Sequence, residues 1–246
     1  MNLRLYIHQR LVPDTELALP AAAARHAQVR RVQPGDTLLL FDGQGSDWPA
    51  SVLAVGRSEV RVAVGTPQTV NNELLIAVTL ALGMPANERM DTLVEKATEL
   101  GVAAIQPLLM ERSVLRLHGE RAARKQEHWQ AIAQAACEQC GRALVPYISP
   151  VMSLTDWLRQ PPPGPRWMLS LQTNATPPAR IDMPAWNGPL TTLSGPEGGL
   201  SPAEETAALA VGFVPVALGP RVLRADTAPL ALLAWLGLSQ AVPKMG

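Results

Sequence analysis

The sequence predicts an α/β protein in two parts, a small β-barrel followed by a mostly parallel sheet covered by helices. Three observations predict it. Residues 1–66 hold short apolar or alternating runs set between turn residues, as a small antiparallel barrel requires. A polar stretch rich in turn formers, Gly65-Thr66-Pro67-Gln68-Thr69-Val70-Asn71-Asn72, then marks a boundary between domains 1–70 and 71–246. Beyond it, apolar runs alternate with helical periodicity, the pattern of strands enclosed by helices.

The elements follow in order. RLYIH, DTLLLF, ASVLAV and EVRVAV read as strands, separated by Pro34-Gly35-Asp36, Asp42-Gly43 and Gly56-Arg57-Ser58. Between the first two, ALPAAAARHAQVRRV reads as one helix. ELLIAVTLAL is a near-continuous apolar run, as expected of a strand buried on both faces. In NERMDTLVEKATELG, Met90, Leu93, Val94, Ala97 and Leu100 recur at helical spacing and Gly101 ends the helix. VAAIQPLL is a second strand, GERAARKQEHWQAIAQAACEQCGR a long helix, LVPYIS a short strand and LTDWLR a short helix. After the loop PPPGP, the runs RWMLSLQ, PLTTLSG and FVPVALG read as three further strands.

Composition bounds the function. A chain of 246 residues buries about three quarters of its unfolded surface and needs no disulfide or metal staple. The two cysteines, Cys137 and Cys140, cannot make a disulfide framework, so a reducing compartment is expected. The N-terminal segment lacks a signal-peptide core, and no apolar run reaches the roughly 18 residues of a membrane span. A soluble, cytoplasmic protein without membrane or metal partners is the expectation. Lys+Arg and Asp+Glu both number 21, which removes the simplest argument for a polyanionic partner. Resolved along the chain, the balance is an acidic stretch at 71–111 (2 basic, 6 acidic) cancelling a basic one at 112–142 (6 basic, 3 acidic). Such a chain should hold bulk RNA weakly and gain affinity only where its arginines meet a shaped site.

The most informative segment is Leu193-Ser194-Gly195-Pro196-Glu197-Gly198-Gly199-Leu200-Ser201-Pro202-Ala203-Glu204. Here a strand runs into a glycine-rich loop and then a helix. Ser201 can cap that helix, Pro202 suits its first position, and Glu204 completes a capping box. Three glycines within five residues serve either a tight turn or the close approach of a ligand to the main chain. The spacing fits neither G-x-x-x-x-G-K-[ST] nor G-x-G-x-x-G, so a phosphate grip is not expected. A second strand–loop–helix unit follows, Ala217-Leu218-Gly219-Pro220-Arg221-Val222-Leu223-Arg224-Ala225-Asp226-Thr227-Ala228, in which Asp226 and Thr227 are candidate caps for PLALLAWLGL. If the two loops end adjacent strands of one sheet, they wall a single pocket.

These segments carry a resemblance. The chain resembles the SPOUT, or trefoil-knot, RNA methyltransferases, and within them the ribosomal RNA small subunit methyltransferase E family. The likeness rests on His26 with VRRVQPGDTLLLFDGQG, KATELGV (96–102), IQPLLMERSV (105–114), CEQCGRALVP (137–146), LSGPEGGLSPAE (193–204) and LGPRVLRADTA (218–228). Two departures stand out: the family usually has Glu where Asp226 stands and Ser where Cys140 stands. The resemblance implies a PUA-like N-terminal barrel, a knotted α/β domain, a homodimer, and S-adenosylmethionine bound between the two glycine loops. The cofactor positions it implies are Leu193, Gly195, Glu197, Gly198, Gly199, Leu218, Gly219, Arg221, Val222 and Leu223. The reaction it implies is methylation of N3 of a uridine in 16S (small-subunit) ribosomal RNA.

A uracil imino nitrogen is protonated near neutral pH, so methyl transfer needs a base or positive charge that stabilises the ring anion. Arg221, Arg224 and Arg112 are the candidate cations, and Glu197 or Asp226 the candidate proton acceptors; for Glu197 the alternative is bracing of the glycine loop. RNA contacts are expected from Arg4, Arg10, Arg25, His26, Arg30 and Arg31 in the barrel. The basic segment should add Arg112, Arg116, Arg121 and Arg124.

Other readings stay open. Cys137-Glu-Gln-Cys140 is a C-x-x-C, but it lies at the C-terminal end of a helix, where the dipole does not favour a thiolate. Zinc would need two more ligands, and His118 and His128 lack the usual spacing. A non-catalytic RNA-binding or ribosome-assembly module would share the fold without the pocket. A related knotted enzyme acting on tRNA would share both.

Overall fold

The computed structural model of the chain describes residues 3–86, 88–181 and 188–239. The chain forms two compact units, Met1–Glu73 with Gln134–Val145, and Leu74–Ala133 with Pro146–Gly246.

In the first unit the elements are β1 (Arg4–Tyr6), β2 (Thr15–Ala18), α1 (Ala21–Val29), β3 (Thr37–Phe41), β4 (Ser46–Val55), β5 (Val60–Val64) and β6 (Gln68–Thr69). The strand order is β1-β3-β4-β5-β2, with β6 on β4. One expectation needs correction: β1 pairs with β3 in parallel, while the other pairs are antiparallel. β2 and α1 intervene between β1 and β3, so the chain re-enters beside β1 in the same direction. β2 escaped the sequence reading because TELA is a mostly exposed strand with no apolar alternation. Leu5, Ile7, Leu38, Leu40, Val60 and Val62 fill the core with Ala23, Ala24 and Ala27 of α1.

By compactness the first segment runs to Glu73, and residues 134–145 group with it. The Gly45 N–H donates to the Ala143 carbonyl at 3.0 Å, and the Tyr6 N–H to the Glu138 carboxylate at 2.8 Å. The Asn72 amide donates to the Gly141 carbonyl at 2.9 Å, and the buried Arg142 guanidinium pairs with Glu73. Helical periodicity runs unbroken from Gly119 to Cys140, so nothing in the pattern announces this change of unit.

The second unit holds β7 (Val78–Gly83), α2 (Glu88–Glu99), β8 (Ala104–Leu109), the first part of α3 (Gly119–Cys140), β9 (Tyr147–Ile148), β10 (Met152–Ser153) and α4 (Leu154–Leu158). Then come β11 (Arg166–Leu169), β12 (Leu190–Ser194), α5 (Pro202–Ala210), β13 (Val214–Val216) and α6 (Thr227–Ser239). The sheet is parallel throughout, in the order β10-β8-β7-β12-β11-β13 with β9 on β8. The strand expected over ELLIAVTLAL begins only at Val78, and Leu75 before it is exposed. α2 buries Met90, Leu93, Val94 and Ala97, and Gly101 follows with φ +91°, a left-handed stop. Among the described residues no helix is long and apolar enough to cross a membrane.

Candidate functional site

In a parallel sheet the carboxyl ends of the strands share one side, and the loops leaving them build the ligand site. The ends of β11, β12 and β13 open on one cleft of about 540 Å³, inside the range of about 300–1,000 Å³ typical of small-molecule sites. The two glycine loops do not leave adjacent strands, as the sequence reading supposed: β11 lies between β12 and β13, and Leu169-Ser170-Leu171 forms a middle wall.

The loop after β12 is fixed at both ends. The Ser201 hydroxyl accepts from the Glu204 N–H at 3.3 Å while the Glu204 carboxylate accepts from the Ser201 N–H at 2.8 Å, and Pro202 opens α5. Glu204 also accepts from the Glu111 N–H at 2.7 Å, which ties the loop to the segment after β8. A Cβ on Gly195 would stand 2.7 Å from the Gly199 carbonyl carbon, so this glycine lets the loop fold back on itself. Gly83, at the end of β7, answers the same need, because a Cβ there would lie 2.5 Å from Pro196 Cδ. Gly199 has φ +67°, which disfavours any side chain. At Gly195 the tight-turn explanation is therefore sufficient.

Two expected catalytic side chains are occupied with this loop. Arg112 donates to the carbonyls of Gly198 at 2.9 Å and Leu200 at 3.1 Å. Glu197 accepts from the Ala86 N–H at 3.0 Å and stands 3.7 Å from the Arg89 guanidinium. Both line the cleft; bracing was the alternative expected for Glu197, whereas for Arg112 it was not expected.

From the loop after β13, Leu218, Arg221, Val222, Leu223 and Arg224 line the same cleft. Arg221 and Arg224 are exposed, and neither joins an ion pair among the described residues. Gly195, Glu197, Gly198 and Gly199 line it too, but three expected residues do not. Leu193 is fully buried within β12, and Gly219 makes the turn with φ +107°. Asp226 is not among the lining residues, although Ala225 and Ala228 are, and its Oδ1 is buried and unpartnered among the described residues. Nor does Oδ1 cap α6: the Thr227 and Ala228 N–H groups both donate to the Arg224 carbonyl at 3.0 Å.

The sequence reading missed Arg89, the β11 wall, Ser194, Pro196, Glu205, Ala225 and Ala228 as cleft residues. Arg89 was findable, since it follows the carboxyl end of a parallel strand. The β11 wall was not, because sheet order leaves no trace in periodicity.

The expected RNA contacts divide. Arg4 is removed from that set: its side chain is 9% exposed, pairs with Asp47 at 2.5 Å, donates to the Cys137 carbonyl at 2.6 Å and covers the Phe41 ring. His26 stands 3.7 Å from Glu138. Arg10, Arg25, Arg30 and Arg31 are exposed in the barrel unit. Arg116 and Arg121 are exposed in the second unit, Arg116 donating to the Glu111 carbonyl, and Arg124 pairs with Glu120. Both cysteines are free; burial pushes the Cys137 thiol up to about 12, so Cys137 is held as the thiol near neutral pH.

Comparison with known proteins agrees with this architecture. Residues 72–237 match the family model of the RNA methyltransferase domain, and residues 19–64 that of the RNA methyltransferase PUA domain. The chain is 32% identical over 240 residues to the ribosomal RNA small subunit methyltransferase E of Synechocystis sp., covering 95% of this chain and 77% of the relative. Its counterpart from Bacillus subtilis is 30% identical over 211 residues, covering 83% and 82%. The crystal structure of a ribosomal RNA small subunit methyltransferase E from Neisseria gonorrhoeae bound to S-adenosyl methionine aligns with a TM-score of 0.89 and 35% identity, over 96% of this chain and 97% of that one.

Proposed function

This chain belongs to the RNA methyltransferase family with a PUA domain, and on that premise we propose that it is an S-adenosylmethionine-dependent methyltransferase acting on N3 of a uridine in small-subunit ribosomal RNA. The observation that carries the reading is the cleft: three strand ends converge on it, backbone-rich glycine loops line it, and two arginines without ion-pair partners among the described residues face it. Those features suit a ligand without phosphates, whose adenine and ribose meet main-chain groups. A trefoil knot is part of the reading, supported by the likeness to the RNA methyltransferase domain and its solved relatives.

When bound, S-adenosylmethionine supplies an electrophilic methyl group. The chain's own residues do the rest. Leu171, Leu218 and Val222 give the cleft apolar walls, while the main chain from Gly195 to Leu200 orients the cofactor. Arg221 and Arg224 would hold the uracil carbonyl oxygens and stabilise the imino anion, so that the N3 proton passes to solvent water before N3 takes the methyl group and the sulfonium leaves as the neutral thioether. Glu197 acts as the fastener between the loop and α2 rather than as the base.

The working form is a homodimer in the cytoplasm. Support for the dimer comes from α6, which is apolar on every side, with Leu232, Leu233 and Leu236 buried and Leu238 87% exposed. A helix apolar all round needs a second cover. Incubation with methyl-labelled S-adenosylmethionine and small-subunit rRNA, followed by nuclease digestion and mass analysis, should yield N3-methyluridine. Labelled tRNA with unlabelled rRNA would overturn the substrate assignment.

A further inference from the structure

A second cleft, of about 970 Å³, lies in the barrel unit, walled by the segment that follows β1 and the turn joining β3 to β4. Tyr6, His8, Arg10, Asp42 and Gln44 line it together with Trp48. None except Arg10 was expected to bind anything. The two rims are fixed to each other, because the Asp42 carboxylate accepts from the Leu11 N–H at 3.4 Å and from the Gln44 N–H at 3.2 Å. The acidic group is thus engaged by the main chain, while Arg10 and His8 are exposed at the rim.

Two rings meet at this rim. Tyr6 and His8 stand edge to face with centroids 6.2 Å apart, and the Tyr6 hydroxyl lies 3.3 Å from His8 Nδ1. Phe41 supports Tyr6 from a centroid distance of 5.5 Å. Burial, reinforced by Asp42, raises the Tyr6 pKa, so its hydroxyl stays a neutral donor at every physiological pH. Gln9 and Gln44, both lining the cleft and exposed, each offer an amide donor and an acceptor.

We propose that this cleft holds an unpaired nucleotide of the RNA substrate, its base against the Tyr6–His8 rings and its phosphate at Arg10. The inference rests on the RNA methyltransferase reading and adds to it a second site, in the other unit. RNA is read chiefly through unpaired bases. Stacking on aromatic side chains accepts any base, a cation at the rim fixes the backbone, and glutamine amides can pair with a base edge. A peptide partner would be served as well by the apolar walls but not by this combination of ring, amide and cation.

The test uses the full chain with ¹⁵N-labelled tryptophan, the Trp48 indole signal being identified by its loss in Trp48→Phe. Three probes are titrated: single-stranded oligouridylate, oligoadenylate and an abasic ribose-phosphate oligomer of equal length. Both base-bearing oligomers should shift the Trp48 signal and the abasic one should not. His8→Ala should weaken oligonucleotide binding by about tenfold, the loss of one stacking partner, and leave abasic affinity unchanged. An unmoved Trp48 signal at saturating oligonucleotide, or equal affinity for abasic and base-bearing oligomers, would overturn the proposal. Methyl transfer to small-subunit rRNA by the unaltered chain separates the two readings. Transfer with a silent Trp48 defeats the nucleotide cleft alone; a shifted Trp48 without transfer defeats the methyltransferase reading and leaves the cleft standing.

Discussion

The Arg112 guanidinium donates to the Gly198 carbonyl at 2.9 Å and so anchors the glycine loop that forms one wall of the cleft at the ends of β11, β12 and β13. Its second bond, to Leu200 at 3.1 Å, bridges the loop where it turns toward α5. A cation spent on two carbonyl oxygens is a positioning residue. Arg112→Ala should therefore raise the S-adenosylmethionine dissociation constant about tenfold, in line with the ~1.5–3 kcal/mol of hydrogen bonds to charged groups. Turnover at saturating cofactor should fall only a few-fold. Calorimetry beside steady-state kinetics checks this; intact cofactor affinity with lost turnover would return Arg112 to the substrate.

Glu197 offers the sharpest contrast between a brace and a base. Glu197→Gln keeps an oxygen for the Ala86 N–H and loses only the ion pair with Arg89. Methyl transfer should change by less than about threefold with an unaltered pH–rate profile, whereas loss of a general base costs about 10²–10⁴ in rate.

Arg221→Ala and Arg224→Ala should show the opposite pattern from Arg112. Both side chains face the cleft, so turnover should fall by about 10²–10³, the scale of a lost electrostatic donor. Thermal stability should stay near that of the unaltered chain, because both arginines are exposed.

At Gly83 the loop and the sheet touch directly. Gly83→Ala would drive a Cβ to 2.5 Å from Pro196 Cδ and 2.6 Å from its nitrogen. The expected cost is about 1–3 kcal/mol of stability, with weakened cofactor binding, measured by denaturant unfolding and calorimetry. An unchanged midpoint would mean that the loop moves aside freely.

Cys137 links stability to pH. Burial raises its pKa from 9.0 to about 12, so the folded chain keeps a proton that the unfolded chain releases. That stabilisation is complete below pH 9 and declines as pH climbs toward 12. The unaltered chain should lose more stability than Cys137→Ala between about pH 8 and about pH 10.5 in paired denaturant titrations. Equal losses would show that the thiol ionises freely in the fold.

Much of this was legible in the sequence wherever the signal is local. The Ser201–Glu204 capping box, the span of the long helix and the two glycine loops depend on residues a few positions apart. What failed was long-range. Arg4 looks like any surface arginine until Asp47, Phe41 and the Cys137 carbonyl surround it. The two loops looked like neighbours because β12 and β13 follow one another along the chain, yet β11 lies between them in the sheet. Asp226 was a reasonable cap by type, but the Arg224 carbonyl takes the N–H groups it would have received.

The membership of residues 134–145 in the barrel unit sets an order of events during synthesis. When residue 73 leaves the ribosome, the barrel still lacks the carbonyls of Cys137 and Ala143, the Glu138 carboxylate and the buried Arg142 that complete it. It must wait, partly open, until the long helix has been made. A fragment ending at the apparent boundary would be frozen at that stage, with polar groups of Arg4, Tyr6, Gly45 and Glu73 deprived of their partners. The barrel unit therefore closes only after residues 74–133, which belong to the other unit, have also been made.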